Sequence, residues 1–307
     1  MITKRFLSNL AMPGLLGMAM LIVGLTFHYD WNLHIVPYFV FVLTFLYLRF
    51  FEEKIPFKND WKSKTGEGAN DLKHLLFSTS IADALGKTTA VSLLIYIQQY
   101  LWGSTTFASN IGFVWAFLLA NLIGEFLPYW YHRLSHIGET NKVLSTWLWK
   151  VHSIHHLPAK LNWYKTNWIH PFNSFINAFA KFALLMFLGF SPEVLFAVFV
   201  MHITVAYASH ANINANTGWL DYILVTPKIH HFHHSTILKE AENYGTILVV
   251  WDLVFGTYYN AVKPVEQVGL IASEKYGVYP QKEDFLGQML FPFKNIKNRL
   301  CCCCAKG

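Results

Sequence analysis

Residues 111–136 read IGFVWAFLLANLIGEFLPYWYHRLSH. An apolar run of membrane-spanning length leads directly into two histidines four residues apart, His132 and His136. About 20 apolar residues cross a bilayer as a helix, and helical side chains four apart share a face. The stretch therefore predicts a transmembrane helix whose end aims two imidazoles at one point. Glu125, His132 and His136 fall within about 40° of one another at 100° per residue. A carboxylate inside an apolar run is costly unless it faces an interior site. Glu125 is thus a candidate acceptor that orients a ligand histidine; the plainer alternative is a glutamate at headgroup level.

The rest of the chain has the same character. Of its 307 residues, 54% are apolar and 14% charged, against about 25% charged in soluble domains. Three further runs, 10–27, 33–51 and 74–102, are long enough to span. Lys4 and Arg5 precede the first, but no small-residue cleavage site follows it, so the first two runs read as spans rather than a signal peptide. Runs 172–190 and 192–208, broken at Ser191-Pro192-Glu193, read as a hairpin dipping into the bilayer. Lys181 argues that its first arm is short or faces the interior. The expected architecture is all-α and multi-pass, with about four transmembrane helices, the hairpin and a cytosolic helical cap. The lysines at 54, 58, 62 and 64 put the 52–73 loop inside, together with the chain after His132.

The net charge of +6 is scattered between apolar runs and forms no basic face, which disfavours nucleic acid. All four cysteines lie at 301–304, so no internal disulfide framework is possible. A reduced tail is the plain reading of that cluster, with lipidation or soft-metal binding as alternatives.

Fifteen histidines occur, in a far from uniform pattern. His152, His155 and His156 are spaced i, i+3, i+4, and His230, His233 and His234 repeat that spacing. With His132 and His136 they form three clusters on one predicted side of the membrane. Neutral imidazole suits iron, zinc, copper and nickel. Eight clustered histidines exceed the four ligands of a structural zinc, so two metal ions are the economical reading. His170 and His210 lie singly between the clusters. His202 reads as packing, His231 is out of phase with its neighbours, His74 is alone, and His28 and His34 fall on the other side. Trp147, Trp149, Trp163 and Trp168 read as interfacial anchors.

At this point the chain resembles the fatty acid hydroxylase superfamily of integral-membrane oxidases. The resemblance runs from about 124 to 258 and rests on EFLPYWYHRLSH, KVHSIHH, His170-Pro171, His210 to Ile213, PKIHHFHH, Asn243-Tyr244-Gly245 and WDLVFGTY. The alkylglycerol branch is nearest in the last segments. The resemblance implies a non-haem di-iron site that uses O2 and an external electron donor, a reductase or cytochrome. Carried onto this sequence, its metal ligands are His132, His136, His152, His155, His156, His210, His230, His233 and His234. His170 matches a position that is histidine in part of the family. Trp168 stands where arginine is common.

The expected function is O2-dependent hydroxylation of a fatty acyl, alkyl-lipid or sterol-like substrate, in a bacterial inner membrane or the endoplasmic reticulum. Desaturation at the same site is the alternative reaction; zinc can substitute for iron in such ligand sets. A membrane metal-binding or transport protein is the rival class, and a zinc hydrolase is disfavoured by the absence of HExxH. The expected division is 1–110 for the N-terminal helices, 111–262 for the catalytic region and 263–307 for a cytosolic tail.

Overall fold

In a computed structural model, residues 3–62, 68–97, 99–100, 107–108, 110–137, 143–270 and 278–294 are described. The Cys301–Cys304 cluster and most of the loop expected at 103–110 lie outside these residues. The fold is helical and multi-pass. Among the described residues there is no strand, only isolated bridges pairing Pro56 with Ile213, Leu224 with Leu248 and Ser235 with Val268.

Helices α1 (Lys4–His28) and α2 (Val36–Lys54) form an antiparallel pair. Helix α3 (Gly68–Lys73) runs through a π-helical segment (His74–Ala82) into α4 (Asp83–Ile97). Next come α5 (Phe113–Gly124), α6 (Phe126–His136) and α7 (Val143–His156). Helices α8 (Pro171–Phe187) and α9 (Pro192–His210) are the two expected hairpin arms. Short helices α10 (Pro227–His233), α11 (Val250–Phe255) and α12 (Phe285–Leu290) complete the cap.

Four helical stretches are long and apolar enough to cross a membrane: Lys4–His28, Gly68–Ile97, Phe113–His136 and Pro192–His210. The number matches the expectation, but the membership differs. Helix α9 joins the set with 19 residues, about 28 Å of helix. Helix α2 falls outside it because Arg49, Glu52, Glu53 and Lys54 crowd its end. Helix α9 is apolar on all sides and is the central packing element. Its Phe196, Val200, Ile203, Tyr207 and Ala208 pack with α1 and α2, while Val194 and Val198 pack with α5 and Leu185 of α8. A helix that is hydrophobic all round is one that is enclosed. The outward faces of the other apolar helices carry exposed Met20, Leu21, Val114 and Trp115, a surface suited to lipid. Helices α4 and α8 approach closely at Gly86, where a Cβ would lie 2.6 Å from the Phe175 carbonyl oxygen; small residues permit such contact between membrane helices.

The span 113–136 breaks at Glu125, between α5 and α6. Pro128 explains the break: it has no N–H for the Gly124 carbonyl, and its ring crowds that carbonyl. Glu125 itself stays helical: its N–H donates to the Asn121 carbonyl at 3.2 Å, and its carbonyl accepts from the Tyr129 N–H at 2.9 Å.

Candidate metal centre

Nine of the ten candidate histidines converge into two groups. His132, His136, His152, His156 and His233 form one; His155, His210, His230 and His234 form the other. Within each group, one ring nitrogen per residue lies within 4.8 Å of all the others. The groups abut, with the His156 and His234 ring centroids 4.4 Å apart. Local helical structure explains the delivery. Thr226 caps α10, its hydroxyl accepting from the Ile229 N–H, and Pro227 opens the first turn. The i, i+4 pair of α7 serves the five-histidine group and its i+3 member the other. In α10 the assignment is reversed.

Hydrogen bonds at the back of the rings fix tautomers. His132 Nδ1 donates to the Tyr244 carbonyl at 2.8 Å, His155 Nδ1 to that of Trp168 at 2.9 Å and His233 Nδ1 to that of Glu242 at 2.9 Å. His152 Nδ1 donates to Asn173 Oδ1 at 3.0 Å, and His210 Nδ1 to the Ala206 carbonyl at 3.1 Å. In each, Nε2 is left with its lone pair directed inward. Yet His132 Nε2 and His152 Nε2 lie 3.0 Å apart, as do His155 Nε2 and His210 Nε2. Two lone pairs at that distance repel unless a cation lies between them. Donors about 2.0–2.1 Å from one ion and roughly at right angles would be about 3 Å apart. His136 Nε2 and His233 Nε2 are buried with no hydrogen-bond partner among the described residues. The donor set thus fits metal ions in both groups. Burial holds His155 down to about 4 and His152, His156, His230, His233 and His234 well below the usual histidine range, so the rings are neutral and able to ligate.

The remaining candidates lie elsewhere. His170 caps α8: its Nδ1 accepts from the Phe172 N–H at 3.2 Å, and its Nε2 donates to the Met289 carbonyl at 3.1 Å. With both nitrogens engaged, it joins neither group. Glu125 touches no histidine, contrary to its expected role as an acceptor. Its Oε1 meets Lys181 Nζ at 2.5 Å; its Oε2 accepts from the Thr246 hydroxyl at 2.6 Å and the Ile247 N–H at 2.8 Å. The partner of Lys181 also shows that α8 turns this cation inward. Glu125 instead holds the turn beside Tyr244, whose carbonyl holds His132. His202 Nδ1 accepts from Lys181 at 2.7 Å. His74 pairs with Gln288 at 2.7 Å, and His231 donates to the Ala211 carbonyl at 3.1 Å beside Phe57 and Trp61. Trp163 and Trp168 are buried rather than anchored at an interface, Trp168 being stacked on His74.

Several residues escaped sequence reasoning. Asp252 accepts from the Tyr244 N–H at 2.7 Å and the Gly245 N–H at 2.8 Å, pinning the loop that backs His132 and His233. Burial pushes Asp252 up to about 6. Gly245 is required there, since a Cβ would lie 2.3 Å from the Leu248 carbonyl oxygen. The only signal for this loop was its Asn-Tyr-Gly tripeptide. Asn173 and the Trp168 carbonyl carried none.

Known proteins resemble this chain across the region that carries the nine histidines. The fatty acid hydroxylase family pattern matches residues 117–257. The ornithine lipid hydroxylase OlsE of Rhizobium tropici is 30% identical over 297 residues, covering 92% of this chain and 84% of the relative. The chain belongs to the fatty acid hydroxylase family. Alkylglycerol monooxygenase of Danio rerio is 28% identical over 225 residues, 69% of this chain and 46% of that protein. Methylsterol monooxygenase 2-2 of Arabidopsis thaliana is 25% identical over 153 residues, 48% and 54% of the two chains. No solved structure matches. These fatty acid hydroxylase relatives are lipid hydroxylases and monooxygenases, and the chain is accordingly an oxidoreductase of the membrane.

Proposed function

We propose that the chain is a di-iron hydroxylase of a membrane lipid, with His132, His136, His152, His156 and His233 holding one ion and His155, His210, His230 and His234 the other. The observation that carries this reading is the facing of lone-pair nitrogens at 3.0 Å in both groups. Bound iron would supply the reactivity toward O2 and an unactivated C–H bond that side-chain acids and bases lack. The protein's part is to position and enclose. Backbone carbonyls at 168, 206, 242 and 244 hold the rings in one tautomer. Burial of the cluster limits water and keeps the imidazoles unprotonated. Apolar helices let a lipid chain approach from the bilayer while its headgroup stays at the interface.

The histidine face lies on the cytoplasmic side in this reading, where a reductase or cytochrome delivers electrons. Residues 111–262 form the catalytic region, and the family pattern at 117–257 supports that boundary. An ornithine lipid is the first substrate to try, because the relative of that name aligns with 92% of this chain.

The test expresses the wild type, His155→Ala and His233→Ala in a host containing candidate lipids. Metal is measured on the purified proteins and lipid mass on the extracts. A lipid heavier by one oxygen, made only by wild type, is expected; a product lighter by two hydrogens would mean desaturation. Product from both variants would sink the dimetal reading.

A further inference from the structure

A second feature lies at the same end of the spans, outside the histidine groups. The start of α1, the end of α2 and the loop after α9 line an open cleft of about 390 Å³. Its lining holds four cations, Lys4, Arg5, Lys54 and Lys62, against one carboxylate, Glu53. That carboxylate is already matched, to Arg49 at 2.7 Å and Lys62 at 2.9 Å. Among the described residues, Lys4, Arg5 and Lys54 form no ion pair.

The placement of two of these charges is unfavourable for the chain alone. Lys4 and Arg5 occupy the first turn of a 25-residue helix that has no acidic residue there. That end carries the positive pole of the helix dipole and leftover N–H donors, which favour an anion. An inside-positive bias explains basic residues on this side of a membrane. It does not explain their gathering around a concavity whose lining also includes Ser8, Asn59 and Asn214.

We propose that this cleft binds a phosphate group, in the first place that of an anionic lipid headgroup reaching it from the surrounding leaflet. The wall is continuous with the catalytic cap. Ser8 donates to the Asn214 carbonyl at 2.7 Å, and the Asn214 N–H donates to the Ile55 carbonyl at 2.8 Å. Two residues earlier, the Asn212 N–H donates to Glu52 at 2.9 Å. An occupant would therefore brace the segment that follows His210.

The test places the full chain in phosphatidylcholine nanodiscs, with and without added phosphatidylglycerol, and records thermal unfolding. Inorganic phosphate added to phosphatidylcholine discs is a separate arm. Lys4→Gln/Arg5→Gln/Lys54→Gln removes the three cleft cations that form no ion pair, and Lys239→Gln/Lys263→Gln/Lys282→Gln removes as many elsewhere. Phosphatidylglycerol should raise the midpoint by about 2–5 °C in wild type and in the control variant. The cleft variant should keep less than half of that rise, while Lys54→Arg keeps all of it. The same pattern with inorganic phosphate alone would retain the site and assign it to a soluble anion. An equal rise in wild type and cleft variant, an equal loss in the control variant, or no rise with either additive would overturn the proposal.

Discussion

The five-histidine and four-histidine groups draw on the same two HxxHH motifs in opposite senses. His152 and His156 of α7 join His233 of α10 in one; His230 and His234 join His155 in the other. Helices α7 and α10 therefore tie the groups together, while α6 and α9 each belong to one. Their supports also differ. The larger group leans on a distant loop, since His132 reaches a carbonyl 112 residues away at Tyr244, and that loop is itself held by Asp252 and Glu125. The smaller group is backed by carbonyls nearer in sequence, Trp168 for His155 and Ala206 for His210. Equal metal-binding chemistry can thus rest on unequal scaffolds, and the two halves should fail differently.

The sharpest division is between α6 and α9. His136→Ala should weaken metal at the five-histidine group, and His210→Ala at the other, each by more than about 100-fold. Each variant is then expected to retain about one ion per chain in elemental analysis. Loss of both ions from either variant would make the groups one cooperative unit.

Acid should act on both halves. His155 titrates near 4 in the folded chain, against about 6.5 when unfolded. Below pH 6.5 the unfolded state takes up protons that the folded state refuses. Stability of the metal-free protein is thus present above pH 6.5 and lost as pH falls toward 4, by about 1.4 kcal/mol per pH unit for each such histidine. Denaturant titration between pH 7.5 and 5 is the check; a flat profile would contradict the burial of neutral rings.

Smaller effects separate the scaffolds. Lys181→Ala or Glu125→Ala leaves a buried charge unpaired and should cost about 3–5 kcal/mol. The double change Glu125→Gln/Lys181→Met should cost less than either. Asp252→Ala should weaken metal at the five-histidine group by about 10–100-fold through the Tyr244 loop and leave the other group intact. His170→Ala should cost about 1 kcal/mol as a lost helix cap, with metal content unchanged. Metal loss there would return His170 to the site.

Much of this was legible before any coordinates. Apolar run lengths are a one-dimensional signal, so the helical multi-pass class and the number of long apolar helices could be read directly. The identity of one span differs from the expectation for a reason also written in the sequence: Arg49, Glu52, Glu53 and Lys54 crowd the end of α2, whereas α9 runs apolar to His210. Glu125 lies about 10 Å of helix before His132, and its oxygens are taken by Lys181 and the turn at Thr246 and Ile247, partners that no local spacing announces. His170 has the composition of a ligand and the position of a cap, a distinction carried by Pro171 beside it.

The sequence by itself determined which histidines can act together, because spacing of three or four residues sets relative direction within a single helix. Spacing marked eight of the nine that converge; the ninth, His210, stands alone in the sequence and came from the resemblance. Only the tertiary structure decided how they divide into five and four, and that Tyr244, Trp168 and Asp252 hold them in place. Helical periodicity says nothing about the angle between one helix and the next; packing of α6 on α7 and of α10 on α9 sets those angles, and long-range hydrogen bonds then fix the rings.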